Sequence, residues 1–181
     1  FFDQKAIINE KSKSLKSNQG VYYASLEKFD FYNDVIIETK EETLRSDTLY
    51  YWLENEYAVF QSNGSIKNTK IYVKAQYGWV NQKKGEAFLN KKVQITNLEN
   101  NSILRADTSF LFNEMNHSIS YGNALLSMPL NEDTLYLTAD TLLQQKKTEG
   151  NLLEAYPKAN FKSADMVGFC DSLSYSTKKE K

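Results

Sequence analysis

A two-residue motif recurs along the chain at nearly constant spacing, and this repetition restricts the possible folds more than any other feature. In each copy a small residue precedes a short polar residue inside an apolar run. The six copies are Ser17-Asn18, Ser46-Asp47, Ala75-Gln76, Ala106-Asp107, Ala139-Asp140 and Cys170-Asp171. Their polar members lie 29, 29, 31, 33 and 31 residues apart. A period of this length predicts a stack of repeated units, each packed on its neighbours.

A second landmark follows each of the first five copies by about half a repeat. It is a pair of residues typical of turns, followed by alternating apolar positions. The pairs are Asn33-Asp34, Ser62-Asn63, Lys91-Lys92, Gly122-Asn123 and Pro157-Lys158. Alternation after a turn predicts a strand with one buried face. We therefore expect each pair to form a turn that leads into a strand.

The apolar positions change phase within the first half of the unit. Leu44 and Ser46 share one parity, whereas Leu49 and Tyr51 share the other, with Asp47 between them. A shift of one residue in a strand indicates a β-bulge or a sharp corner. Each unit is therefore expected to contain two extended arms, the first of them bent.

These patterns predict an all-β, repeat-built antiparallel fold. We expect one domain over residues 1–181, with about six repeats of 29–33 residues across about 15–176. Tyr (12) and Phe (10) are abundant and Pro (2) is rare, which favours strands. The segment SMPLNED at 127–133 is expected to form a loop, because Pro129 cannot donate a hydrogen bond to a neighbouring strand.

Charge and hydropathy exclude several classes of function. The formal net charge is −1, so no field of one sign favours binding to nucleic acid. The longest apolar runs, such as VII at 35–37, are far shorter than the ~20 residues of a membrane-spanning helix. One cysteine excludes an intramolecular disulfide. The chain begins without Met or a signal-peptide pattern, which indicates either a cytosolic start or, as we expect from the missing Met, a processed or trimmed chain.

Recurring carboxylates are the obvious candidates for chemistry. Asp47, Asp107, Asp140 and Asp171 occupy equivalent positions in the repeat. A catalytic pair needs two carboxylates in different environments, whereas a corner needs only a short polar side chain that caps backbone groups. Because Asn or Gln fills the same position in the other two copies, the column is interpreted as structural.

Neither His117 nor Cys170 offers a catalytic or metal-binding pattern. Each is the only residue of its type, so a zinc site or a Cys-His pair has no second member. His117 is interpreted as an exposed loop residue and Cys170 as a packed thiol. No catalytic residue, cofactor or metal ligand is predicted, and the chain is not expected to be an enzyme.

The two landmarks together resemble a known family. The pattern L-x-[SA]-D-T-L-x-Y followed by Y-G-N-A-L-L, as in 44–66 and 104–126, resembles the OstA-like (LptA) family of periplasmic lipopolysaccharide-transport proteins, which includes the periplasmic domain of LptD. The resemblance covers about residues 15–176. Each motif is short, and specificity comes from six copies in register. Ser62-Asn63 and Lys91-Lys92 depart from the usual Gly-Asn turn of the family.

The resemblance implies a fold, a location and a mode of action. The fold would be a twisted antiparallel β-jellyroll, open along one side like a V or a taco, with an apolar groove for the acyl chains of lipopolysaccharide. The chain would be periplasmic and would join other jellyroll domains end to end through edge strands, bridging inner and outer membrane machinery. Burial contributes ~0.8 kcal/mol per CH₂, so an apolar path would carry the lipid without catalysis.

By position, the resemblance places fifteen residues in the lining of the lipid groove. They are Val35, Ile37, Leu44, Leu49, Tyr51, Ile66, Val73, Val93, Ile95, Leu104, Leu111, Leu126, Leu137, Leu142 and Phe161.

Two other functions fit the same pattern. A carbohydrate-binding β-solenoid would expose aromatic side chains along one outer face, for which Tyr50, Trp52, Tyr72 and Trp79 are candidates. A structural scaffold would have a filled interior instead. An open apolar groove therefore favours lipid, an outer aromatic stripe favours sugar, and the absence of both favours a scaffold.

Overall fold

The computed structural model describes residues 1–10, 12–112, 116–130, 132–147 and 150–178. Within these ranges the chain forms fifteen β-strands and one 3₁₀ turn at Ala24–Leu26. The strands are β1 Ala6–Glu10, β2 Lys13–Ser17, β3 Gln19–Tyr23, β4 Lys28–Glu38, β5 Thr43–Trp52, β6 Tyr57–Lys67, β7 Ile71–Asn81, β8 Glu86–Asn97, β9 Ile103–Phe112, β10 His117–Leu130, β11 Asp133–Lys147, β12 Gly150–Tyr156, β13 Ala159–Lys162, β14 Val167–Cys170 and β15 Leu173–Lys178. The prediction of an all-β fold is confirmed.

The strands form one open antiparallel sheet whose order nearly follows the chain. β1 and β2 lie beside β4, the strands β4 to β12 follow in sequence order, and β15 lies beside β12. β3 pairs with β4, and β13 pairs with β11 and β14. Most sheet neighbours are therefore consecutive strands joined by short hairpins.

Corners bend the central strands near their middles. In β4, β6, β8 and β10 two successive residues have positive φ, and the pairing with the neighbouring strands shifts at the same level. The bulge predicted at Asp47 is confirmed, because the register of β5 and β6 shifts between Arg45 and Thr48. The prediction that the paired residues form turns is wrong for Asn33-Asp34, Ser62-Asn63, Lys91-Lys92 and Gly122-Asn123. They lie inside continuous strands, because a matching shift in the neighbour lets the strand bend without ending.

The same corners interrupt the strands at both ends of the sheet. Asn18 separates β2 from β3, Pro157 and Lys158 separate β12 from β13, and residues 171–172 separate β14 from β15. Pro157 has no N–H to continue a ladder. The terminal units therefore contribute two short strands where the central units contribute one long bent strand.

The loop expected at 127–133 is replaced by strand over most of its length. β10 continues through Pro129, which lies opposite Thr134 of β11. On its other side the pairing with β9 ends at Ser127 opposite Ile103. Pro129 therefore occupies an edge position, where a missing N–H is tolerated. Residue 131 lies outside the described residues.

The corners divide the sheet into two halves that pack inner face to inner face. The first half-sheet consists of residues 35–38, 43–46, 64–67, 71–75, 93–97, 103–106, 124–130 and 133–139. The second half-sheet consists of residues 28–32, 48–52, 57–61, 77–81, 86–90, 108–112, 117–121 and 141–147. Leu44 and Ile66 of the first half pack with Leu49 and Phe60 of the second in one hydrophobic cluster. Residues of β9 to β13 form a second cluster.

Candidate functional site

One inner row of the second half-sheet carries bulky apolar side chains in β4, β6 and β8 but serines in β9 and β10. Phe31, Phe60 and Leu89 occupy one inner row in β4, β6 and β8, and each is at most 1% exposed. In β9 and β10 the same row carries Ser109 and Ser120, which are fully buried and hydrogen-bond to each other at 2.7 Å between their Oγ atoms. A serine fills much less volume than an aromatic ring, and the two serines satisfy each other's hydroxyl groups.

A cavity of about 340 Å³ lies between the two half-sheets in this region. Ile71, Ile95, Leu104, Leu126 and Met128 of the first half-sheet form its apolar wall. Leu111 and Ser118 of the second half-sheet face them, together with Leu153 of β12 and Tyr175 of β15. Leu152, Asn116, Asn151 and polar residues of the segments 68–70, 97–102 and 144–146 complete the lining. An apolar wall with a polar mouth is typical of small-molecule sites.

The fifteen residues predicted to line a groove lie in the interior. Thirteen are buried, and Ile95 and Phe161 are half-buried. Ile95, Leu104, Leu111 and Leu126 line the cavity. Those that pack in the first cluster away from the cavity are Val35, Ile37, Leu44, Leu49, Tyr51, Ile66, Val73 and Val93. Those that pack in the second cluster are Leu137, Leu142 and Phe161.

Sequence reasoning missed five apolar or aromatic residues of the cavity wall. Ile71, Met128, Leu152, Leu153 and Tyr175 were not among the predicted lining residues. The first two lie one alternation beyond predicted positions in the same strands, so extending the period-two pattern would have found them.

Polar contacts join the loops at the ends of the two half-sheets. We call these loops the rims: 39–42, 68–70 and 98–102 form the first rim, and 53–56, 82–85 and residue 116 form the second. Gln82 of the second rim donates a hydrogen bond from Nε2 to Oε1 of Glu42 on the first, at 2.6 Å. Lys146, at the end of β11, lies 3.7 Å from Glu99, measured from Nζ to Oε2. These contacts connect the halves on either side of the cavity.

Lys13 of β2 also connects the two halves. Its Nζ lies 3.0 Å from Oε1 of Glu56 and donates a hydrogen bond of 3.1 Å to the hydroxyl of Tyr51. Burial alone would lower the pKa of Lys13, but the bonds to Tyr51 and Glu56 outweigh it and raise that pKa. The contact is therefore charge-assisted at neutral pH.

The recurring aspartates lie at the corners and contact the bent pairs. The bonds run from Asn63 Nδ2 to Asp47 Oδ2 (2.7 Å), from Asn123 Nδ2 to Asp107 Oδ2 (2.8 Å) and from Lys158 Nζ to Asp140 Oδ2 (3.3 Å). Ser46 supports one corner, because its Oγ donates to the carbonyl oxygen of Thr48 at 2.7 Å and contacts that of Gln61 at 3.0 Å. These geometries favour a structural role for the column.

The remaining candidates for chemistry lie apart from one another. His117 is half-buried at the start of β10, and Cys170 is a half-buried free thiol at the end of β14. In the described part of the chain, no group of three or more His, Cys, Asp or Glu side chains is arranged to hold a metal ion.

Comparison of the sequence with protein-family models and with curated proteins gives no match. Among the residues that the structure describes, no helix has the length and apolarity needed to cross a bilayer.

Proposed function

We propose that this chain is a non-enzymatic, periplasmic lipopolysaccharide-binding and transport protein of the OstA-like type. The observation that supports this function best is the apolar cavity between the half-sheets, walled by Ile95, Leu104, Leu111 and Leu126. Protein interiors are normally close-packed, so a space of about 340 Å³ between two packed half-sheets, with an apolar wall, is unusual. A guest with apolar chains accounts for it.

The lining of the cavity matches an amphiphile. Acyl methylenes would contact the leucine and isoleucine wall, with ~0.8 kcal/mol gained for each CH₂ removed from water. Lys70 lines the mouth, where it would attract a phosphate group of a lipid A headgroup, and Lys146 would become available if its pair with Glu99 opened. The wall and the mouth would thus bind different parts of one molecule.

Loading of such a lipid would require the rims to separate. The volume of the cavity is near the lower end of the ~300–1,000 Å³ found for ligand sites, which is too small for a lipid with several acyl chains. The closing contacts are weak: Gln82 Oε1 is buried without a hydrogen-bond partner in the described chain, which costs about 1–3 kcal/mol. The exposed pair of Lys146 and Glu99 contributes only ~0–1 kcal/mol. Separation of the rims would produce the V-shaped jellyroll groove.

Edge strands provide the proposed contacts with other jellyroll domains. In the described residues β1 pairs only with β2, and β15 only with β12. Each edge presents backbone groups to which another strand can be added. End-to-end assembly would extend the apolar path between inner and outer membrane machinery.

Site-specific photocrosslinking tests the proposal. Leu104 points into the cavity and is 2% exposed, whereas its neighbour Ile103 lies on the outer face of the same strand. A photoreactive phenylalanine analogue at position 104 or 95 should form adducts with lipopolysaccharide, and the same analogue at 103 should not. Adducts at 103 with none at 104 or 95 would contradict the proposal.

A cavity-filling variant provides a second readout. Ile95→Trp places a larger side chain at a half-buried position of the cavity wall. We expect little loss of stability but at least a several-fold loss of adduct at position 104. The matched control is Ile103→Trp, which changes the outer face only. Equal adduct yields in both variants would show that the cavity does not hold the lipid.

A further inference from the structure

The outer face of the second half-sheet carries a continuous band of aromatic side chains. Its ring centroids are separated by 5.6 Å from Trp52 to Tyr57, 5.7 Å from Tyr57 to Trp79, 6.2 Å from Trp79 to Phe88 and 4.8 Å from Phe88 to Phe110. The five strands β5 to β9 contribute one ring each. All five side chains are half-buried, so part of each ring contacts solvent.

A surface pocket of about 390 Å³ lies at the end of this band, between the hairpins 53–56 and 82–85. Its lining consists of Trp52, Asn55, Tyr57, Asn81, Lys83 and Lys84. Two aromatic rings, two side-chain amides and two ammonium groups therefore converge on one space. No carboxylate belongs to the lining, although Glu54 and Glu86 lie nearby in the chain.

Hydrogen bonds hold the pocket in shape. The backbone N–H of Gln82 donates to the carbonyl oxygen of Glu56 at 3.1 Å, and Lys83 Nζ donates to the carbonyl oxygen of Glu54. The backbone N–H of Lys84 donates to Oδ1 of Asn81 at 3.1 Å. These bonds tie the two hairpins together, so little order has to be gained when a ligand binds.

We propose that this pocket and the adjoining aromatic band bind an acidic oligosaccharide. The C–H groups on one face of a sugar ring carry partial positive charge and pack against the negative face of an aromatic ring. Asn55 and Asn81 can exchange hydrogen bonds with hydroxyl groups. Lys84 can form a charge-assisted bond with a carboxylate or phosphate on the sugar.

The positive charge of the lining favours an acidic sugar over a neutral one. Lys83 and Lys84 both line the pocket, and neither forms an ion pair with a carboxylate in the described chain. Lys28 lies 5.0 Å from the ring centroid of Trp52, but it is paired with Asp30 at 2.7 Å and adds no net charge. An anionic group on the sugar would balance the lining charge.

The proposal is independent of what the interior cavity holds. The band and pocket lie on the outer face of the sheet, whereas the cavity lies between the inner faces. A lipid-free saccharide therefore tests the outer site alone. If the saccharide does not bind, the photocrosslinking result at position 104 is unaffected. If no lipid adduct forms at position 104, the saccharide test is likewise unaffected.

Tryptophan fluorescence reports directly on the site, because both tryptophans of the chain belong to the band. The probes are oligogalacturonate, a phosphorylated mannan oligosaccharide, a neutral cello-oligosaccharide, inorganic phosphate and phosphatidylglycerol vesicles. We expect saturable changes with at least one acidic oligosaccharide, and affinity about tenfold lower or worse for the neutral one. The proposal would be overturned if neither acidic sugar changed the fluorescence, or if inorganic phosphate bound as tightly as the acidic sugars. A response to vesicles alone would assign the face to a membrane surface instead.

Variants measured by calorimetry separate binding from folding. Lys84→Gln changes an exposed residue and should weaken binding of the acidic sugar about tenfold without changing the circular dichroism spectrum. Its control is Lys67→Gln, an exposed lysine on the outer face of the first half-sheet. Trp52→Ala should abolish binding, whereas Tyr136→Ala, at an aromatic residue 47% exposed on the first half-sheet, should not. Unchanged affinity in both pocket variants would rule out this site.

Discussion

Asn63 and Asp47 are joined across the corner between β5 and β6 by a hydrogen bond of 2.7 Å from Nδ2 to Oδ2. Asn63 has a φ of 54°, so this bond forms beside a backbone conformation that most residues avoid. The same relationship recurs in the hairpin of β9 and β10, where Asn123 donates to Asp107 at 2.8 Å. In both units the repeated carboxylate thus accepts a hydrogen bond that supports the bend.

Removal of the corner carboxylate should destabilise the fold modestly. Asp47→Ala deletes the acceptor of the Asn63 amide, and we expect a loss of about 0.5–1.5 kcal/mol in the free energy of unfolding. Gln76→Ala is the matched control, because Gln76 occupies the same position in β7 and makes no side-chain hydrogen bond within the described residues. Urea unfolding measures the free energy of unfolding of both variants. Equal losses in the two variants would show that the bond contributes nothing.

The ring of Phe60 occupies the space beside two glycines. A Cβ at Gly64 would lie 2.0 Å from this ring, and a Cβ at Gly78 would lie 2.5 Å from it. Gly64→Ala should therefore cost about 1–3 kcal/mol through overpacking. The cost should fall in a Phe60→Leu background, because only the ring obstructs the new methyl group.

The cost of Gly78→Ala should persist in that background. A Cβ there would also lie 2.4 Å from the carbonyl oxygen of Phe88, which belongs to the backbone and cannot move aside easily. A double-mutant cycle from denaturant unfolding separates the two cases. Equal coupling energies for both glycines would contradict this account.

Linking the rims should prevent lipid uptake if loading requires them to separate. Cysteines at Glu42 and Gln82, in a Cys170→Ser background, can be joined by a short bismaleimide. We expect the linked protein to lose photoadduct formation at position 104 and the unlinked protein to retain it. The control link joins positions 54 and 83, which lie on the same rim. Undiminished adducts with the rims linked would show that the cavity fills by another route.

Acid should release the segment around Ala164. Oδ2 of Asp133 accepts a hydrogen bond of 2.5 Å from the backbone N–H of Ala164. This bond, with a second from the N–H of Thr134, lowers the pKa of Asp133 below its ordinary value of 3.8. Because the folded-state pKa is the lower one, the contribution to stability is present above pH 3.8 and is lost as pH falls through the folded-state pKa.

The amide proton of Ala164 provides the measurement. Its chemical shift should titrate below pH 3.8 in the wild type and should be independent of pH in Asp133→Asn. A titration that survives in the variant would assign the effect to another carboxyl group.

The all-β fold and the bulge at Asp47 could be predicted because both depend on local alternation. The parity change between Ser46 and Leu49 is visible in the sequence alone. The interpretation of Asn33-Asp34 as a turn was wrong because a pair with positive φ can either end a strand or bend it. Which occurs depends on whether the neighbouring strand shifts at the same level, and that neighbour lies in another repeat.

The cavity could not be predicted from the repeat. Its wall combines Leu104 and Leu126 of the first half-sheet with Leu111 of the second. The period-two pattern marks these residues as inward-facing but does not show how their volumes combine across two packed faces. The residues predicted to line a groove were therefore found as a buried set, and only the structure separates the wall of the cavity from the packed core.

From β4 to β12 the order of strands in the sheet is the order of strands in the chain. A gene that gains or loses one consecutive pair of strands therefore leaves every other pairing and its register unchanged. Each such event would alter the chain by one period, 29 to 33 residues here. The length of the interior can thus evolve in whole hairpin steps, by duplication or deletion, without a new core having to be selected each time.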